Sequence, residues 1–117
     1  MRIYGVRIFV DDYPAARAFY AETLGLDVAW EMAEHGAIGF AAGPAQLIVE
    51  CIAADAEETV LVGRFVGLSL QFDDIQATYR QLLDRGVAFA GPPERQFWGG
   101  MLAHFQDPTG NTLTLLG

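Results

Sequence analysis

The sequence predicts an α+β fold built from two β-α-β-β-β modules, and three observations predict it. The stretch Gly5-Val6-Arg7-Ile8-Phe9-Val10-Asp11-Asp12 aligns without a gap with Gly67-Leu68-Ser69-Leu70-Gln71-Phe72-Asp73-Asp74. Each Asp-Asp pair leads into a segment of helical periodicity that closes at a glycine, Gly25 or Gly86. Each such segment is followed by short apolar runs divided by turn residues, the last two of them flanking Asp107-Pro108-Thr109-Gly110.

The first strand is read as Ile3–Val10. Asp12 suits an N-cap and Pro14 the first helical turn, where a missing N–H costs little. Ala16, Phe19, Tyr20, Thr23 and Leu24 recur with helical spacing, so a helix spans Tyr13–Leu24, with Gly25 beyond its end. Strands follow at Asp27–Met32, Ala37–Ala41 and Gln46–Cys51, with turns at Glu34-His35-Gly36 and Ala42-Gly43-Pro44. The acidic stretch Ile52–Val66, carrying Asp55, Glu57 and Glu58, reads as a connector whose end extends the next strand.

The second module repeats the plan with a strand at Gly67–Phe72 and a helix at Ile75–Arg85, whose stripe is Ile75, Thr78, Tyr79, Leu82 and Leu83. A short strand at Val87–Phe89 comes next. Gly91 to Gly100 is too rich in Gly and Pro for regular structure. Met101–Gln106 and Asn111–Leu116 form a closing hairpin, since Pro at the second and Gly at the fourth turn position favour a type I turn. A single domain is predicted over 1–117, with modules at about 1–52 and 67–117 and the connector at about 53–66, because either half alone would be marginal and needs the other or a second chain.

Composition narrows the function classes. The formal charge is −8, which argues against a nucleic-acid partner needing clustered Lys and Arg. Neither a run of about 18 apolar residues nor a charged-then-apolar leader is present. No membrane span is expected, and the cytoplasm is the predicted address. The lone cysteine, Cys51, excludes an internal disulfide and sits in an apolar strand, the setting of an inert thiol.

Strand alternation sorts the side chains onto two faces. Tyr4, Val6, Ile8 and Val10, with Leu47, Val49, Cys51, Leu68, Leu70, Phe72, Leu113 and Leu115, form an apolar set that packs under helices. The opposite set mixes Ile3, Gly5, Arg7 and Phe9 with Gln46, Ile48, Glu50, Gly67, Ser69, Gln71, Thr112, Thr114 and Leu116. Apolar walls with a few placed polar groups describe a ligand cavity; a half-wet sheet face or a subunit interface is the alternative.

Val10-Asp11-Asp12 leading to Ala18-Phe19-Tyr20 and Leu24-Gly25-Leu26, then Phe72-Asp73-Asp74, then Phe105-Gln106-Asp107-Pro108-Thr109-Gly110-Asn111 resemble the vicinal oxygen chelate superfamily over essentially the whole chain. That superfamily includes glyoxalase I, extradiol dioxygenases and bleomycin- and fosfomycin-resistance proteins. The resemblance implies paired βαβββ modules forming a cupped mixed sheet with helices packed on its outer face, and a homodimer. It also implies a divalent metal held at four strand positions by His, Glu or Gln. Those positions here read Gly5, Glu50, Gly67 and Thr114. One carboxylate cannot supply the four to six donors a divalent cation takes, so no metal and no other cofactor is expected.

Glu50 and Arg7 are read as sharing one face, either paired with each other or meeting a ligand. Phe9, Gln46, Ile48, Ser69, Gln71, Thr112 and Thr114 are candidate ligand contacts; the polar ones are otherwise satisfied across strands. Glu50 and His104 are candidate general bases, although periodicity does not fix the face of His104. Phe97 and Trp98 either cover a flat ligand or anchor a subunit contact, and Trp30 carries the same two readings. The expected function is metal-independent binding of a small molecule, as in drug-sequestering members of the superfamily. The alternative is a lyase, isomerase or dioxygenase-type enzyme acting on a small oxygenated substrate.

Overall fold

Both Asp-Asp pairs end in a helix cap in the computed structural model, which describes residues 1–117. The Asp12 carboxylate accepts from the Ala15 N–H at 3.1 Å and that of Asp74 from the Ala77 N–H at 3.0 Å. Each satisfies a donor that the first helical turn leaves without an intrahelical partner. Gly25 and Gly86 follow the helices at φ +73° and +86°, the left-handed conformation that a glycine at C′ adopts without a Cβ clash.

The chain divides into two units, Met1–Gly63 and Arg64–Gly117. The first contains β1 (Gly5–Val10), α1 (Tyr13–Ala18), β2 (Val28–Met32), β3 (Ala37–Ala42) and β4 (Ala45–Cys51). Its sheet runs β1-β4-β3-β2, with β1 parallel to β4 and the other pairs antiparallel. The second contains β5 (Phe65–Gln71), α2 (Ile75–Asp84), β6 (Ala88–Phe89), β7 (Glu94–Arg95), β8 (Met101–Gln106) and β9 (Thr112–Leu116). Its sheet runs β5-β9-β8-β6, with β5 parallel to β9, and β7 adds to β8. First strand, last strand, then the hairpin backwards is the order in both units, so the fold is α+β with two mixed sheets of one topology.

Each unit packs its helix on the apolar face of its own sheet. In the first, Ile8, Val10, Ile38, Phe40, Leu47 and Val49 are buried, and the Tyr20 ring lies 5.9 Å from that of Phe40. In the second, Leu70, Phe105, Leu113 and Leu115 are buried, and Tyr79 of α2 meets Phe89 edge-on at 4.8 Å. Burying such side chains contributes about 1.5–3 kcal/mol each.

The closing hairpin is tied by a buried carboxylate. Asp107 Oδ1 accepts from the N–H groups of Thr109 and Asn111 at 3.0 and 2.9 Å, and Oδ2 accepts from Asn111 Nδ2 at 3.0 Å. Asn111 Oδ1 in turn accepts from the Arg64 N–H at 3.3 Å, so the turn also fixes the entry to β5.

The structure corrects the sequence reading at five places. Ile3 and Tyr4 are exposed and precede β1, although the Tyr4 carbonyl still accepts from the Gln46 N–H of β4 at 2.9 Å. The first α-helix stops at Ala18 and continues as a π-helical turn, Phe19–Thr23, closed by the Leu24 N–H on the Phe19 carbonyl at 2.8 Å. The wider turn lets Phe19, Tyr20 and Leu24 all be buried. The connector holds a 3-10 helix, Glu57–Leu61, although its end extends β5 back to Phe65 as expected. The Gly/Pro-rich loop contains β7. Finally, β5 is bulged between Phe65 and Ser69, where Gly67 takes φ +74°, so Gly67 is not a regular strand position.

Candidate functional site

The face of the first sheet opposite its helix carries three of the polar side chains expected of a site, Arg7, Gln46 and Glu50. Register places Gly5, Arg7 and Phe9 of β1 beside Gln46, Ile48 and Glu50 of β4. Beyond them lie Ala41, Gly39 and Ala37 of β3, and then Trp30 of β2 opposite Gly39. The Arg7 guanidinium donates to both carboxylate oxygens of Glu50, through Nε to Oε2 and through Nη2 to Oε1 at 3.1 Å. These hydrogen bonds, and then the Glu50 charge, raise the Arg7 pKa. The guanidinium carbon also sits 5.2 Å from the centroid of the buried Phe9 ring, a cation–π arrangement.

Trp30 lies across Gly39. A Cβ built at position 39 would run into the indole, and Trp30 Nε1–H donates to Gln46 Oε1 at 2.6 Å. An indole reaches from β2 over β3 to β4 only because position 39 has no side chain. The result is an aromatic plate next to Ile48 and the Arg7–Glu50 pair, a surface of the kind that holds flat organic molecules.

The other side of β2 is structural. Glu31 accepts from Tyr13 Oη at 2.6 Å and from Arg17 Nε at 2.7 Å, which pins α1 to the sheet edge. The Arg17 and Tyr13 hydrogen bonds hold the Glu31 carboxyl below its usual range. Burial and the Glu31 hydrogen bond push the Tyr13 phenol up.

In the second sheet, the face away from α2 carries Ser69 and Gln71 of β5, Thr112, Thr114 and Leu116 of β9, and Leu102, His104 and Gln106 of β8. Thr114 is buried, and its Oγ1 lies 2.8 Å from His104 Nδ1. Phe65, also exposed on this face, meets the imidazole edge-on at 5.7 Å. His104 thus belongs to the polar face, clamped by a hydroxyl on one side and a ring on the other. Two shallow cavities flank it. One of about 180 Å³ is lined by Ala88, Phe89, Phe105, His104, Gln106 and Thr112. The other, of about 130 Å³, is lined by Pro92, Glu94, Gln96, Leu102 and His104.

Trp98 lines neither cavity. It sits half-exposed beside the fully exposed Phe97 in a turn closed by the Gly99 N–H on the Gln96 carbonyl at 2.9 Å, and its ring lies over Gly100. The residues at the expected metal positions do not fit a divalent cation. Position 5 has no room for a ligating side chain, since a Cβ there would lie 2.9 Å from the Gln46 carbonyl oxygen. Both Glu50 oxygens are taken by Arg7, Gly67 sits in the bulge, and the Thr114 hydroxyl is bonded to His104.

Three parts of these faces escaped the sequence reading. The plate formed by Trp30 was signalled by Gly39, a lone glycine inside an apolar strand, which marks a close approach. Phe65 was hidden because the bulge at Gly67 breaks the period-2 pattern that would have placed it. Glu94 and Gln96 lay in what read as an irregular loop.

The family model described as Glyoxalase/Bleomycin resistance protein/Dioxygenase superfamily matches residues 2–115. YraH of Bacillus subtilis (strain 168) is 26% identical over 98% of this chain and 97% of its own length. A solved member of the same superfamily from Sphaerobacter thermophilus DSM 20745 superposes with a TM-score of 0.86, at 27% identity over 99% of this chain and 96% of the other. TnmS3, an antibiotic binding protein from Streptomyces sp. CB03234, superposes with a TM-score of 0.80, at 31% identity over 98% of this chain and 93% of the other.

Proposed function

Because the chain belongs to the Glyoxalase/Bleomycin resistance protein/Dioxygenase superfamily, we propose that it binds a small organic molecule on the polar faces of its sheets and does so without a metal ion. The donor set carries this reading. Glycine stands at two of the four positions where the superfamily holds its metal, threonine at a third, and Arg7 occupies the carboxylate at the fourth. What those faces do offer are hydrogen-bonding side chains (Gln46, Ser69, Gln71, Thr112) and the indole of Trp30. Likeness to an antibiotic-binding protein supports a ligand of the drug or secondary-metabolite class, held rather than transformed. In this proposal the two units act as one domain, since a unit of either size is marginal alone, and the protein is a cytoplasmic homodimer.

A thermal-shift series tests it. An antibiotic panel is expected to contain a compound that raises Tm saturably, while Zn²⁺, Ni²⁺, Mn²⁺ and Fe²⁺ leave it unchanged, because any ligand of the native state must stabilise it. Saturable stabilisation by one of these metals would reverse the reading.

One observation favours a second reading, a metal-free lyase or isomerase. His104 Nδ1 is held by Thr114 while Nε2 has no protein partner, the arrangement of a general base whose second nitrogen orients it. Turnover lost in His104→Gln and indifferent to chelator would establish it.

A further inference from the structure

The two cavities beside His104 share that residue and Ala90, whose N–H donates to the His104 carbonyl at 3.0 Å. They therefore adjoin at His104, the waist between two lobes of one groove along β8. The lobes differ in chemistry. The first is lined by Ala88, Ala90 and the strand backbone at Phe89 and Phe105, with His104, Gln106 and Thr112 at its polar side, and its volume of about 180 Å³ is that of a site for a single aromatic ring; an apolar cavity of about 150 Å³ accepts benzene. The second is lined by Glu94, whose carboxylate has no hydrogen-bond or ion-pair partner. No Lys or Arg lines either lobe.

We infer that this groove is a subsite for an organic cation, a primary or secondary amine attached through a short linker to one ring. The ring enters the first lobe and the ammonium group meets Glu94 in the second. His104 Nε2, at the waist between the lobes, is positioned to hydrogen-bond the linker. An unpaired carboxylate selects for charge sign more than for affinity, because an anion in the same lobe meets repulsion with no compensating donor. The formal charge of −8 draws cations toward the whole surface. Selectivity that depends on Glu94 is what separates a built subsite from that general attraction. The inference rests on the small-molecule reading above and names one ligand class for it.

The test uses two probes of matched shape and opposite charge, 2-phenylethylammonium and 3-phenylpropionate, titrated into ¹⁵N-labelled full-length protein at neutral pH. The ammonium probe is expected to shift the amides of Ala90, Glu94, His104 and Gln106 and to bind at least tenfold more tightly than the carboxylate. In Glu94→Gln, an exposed position whose replacement leaves the spectrum of the fold intact, the preference is expected to fall to about one. A preference that survives in Glu94→Gln, shifts confined to Arg7, Gln46 and Trp30, or no binding of either probe would each overturn the subsite. The antibiotic panel decides the broader reading separately, so a positive panel with a negative titration removes only this inference.

Discussion

Trp30 occupies the space that a side chain at position 39 would fill. The indole is held there by its hydrogen bond to Gln46, so the aromatic plate exists only while position 39 is glycine. Gly39→Ala is expected to lift the ring off the sheet and break that bond. The cost should be about 1–3 kcal/mol, the range for forcing an extra methyl group into a filled site. Urea unfolding measures the loss, and a red shift of tryptophan emission reports the displaced indole; unchanged emission would show that the plate is not as described.

Arg7 and Glu50 form a pair in which the Arg7 side chain is 62% exposed. Pairs this open contribute little to folding. Glu50→Gln is therefore expected to leave Tm nearly unchanged while altering affinity for any ligand of this face roughly tenfold, the effect of one charge-assisted hydrogen bond. Calorimetric titration beside a melting curve separates the two effects.

Glu31 gives the fold a pH dependence of known sign. Its carboxyl titrates lower in the folded protein than unfolded, so its contribution is present above the unfolded-state pKa and fades as pH falls through the folded-state value. Tyr13 works at the alkaline end. Its folded-state pKa is raised, so the neutral phenol stabilises at and below its ordinary range, and that stability is lost as pH climbs beyond it. Denaturation midpoints of the wild type and Glu31→Gln should differ at pH 7 and converge in the acid range; a constant gap would refute the assignment.

Asp107 accepts three hydrogen bonds within the closing hairpin while only 5% exposed. Asp107→Ala leaves the buried Asn111 amide and backbone donors without acceptors, at a cost of about 2–4 kcal/mol. Since Asn111 also holds the Arg64 N–H, hydrogen exchange at the start of β5 should accelerate along with that of the hairpin.

At Gly67 the backbone takes φ +74° inside the β5 bulge. A β-carbon in that conformation costs about 1–2 kcal/mol. Gly67→Ala should also reseat Phe65, and loss of the ring-current shift on His104 in the proton spectrum would report it.

Both modules could be read from the sequence because their signals are local. Asp12 and Asp74 cap helices from the preceding residue, Gly25 and Gly86 end them, and period-2 alternation assigns Gln46, Ile48, Glu50, Thr112 and Thr114 to one side of their strands. What could not be read depends on distant partners. The face of His104 follows from its register opposite Thr114, which the turn at Asp107–Gly110 sets. The π-helical turn answers to the burial of Phe19, Tyr20 and Leu24 together, a demand that helical spacing alone does not reveal. β7 exists because β8 offers it an edge, although its own Glu94-Arg95 has no strand signature.

The strand order has a consequence for biosynthesis. β5 pairs with no strand except β9, and some forty residues of translation separate the two. As the polypeptide leaves the ribosome, β5 must therefore wait with an open flank until Thr112–Leu116 have emerged. The second half of the molecule can be completed only from its distal end, and a nascent chain stalled before that point would present a sticky edge for chaperones to shield.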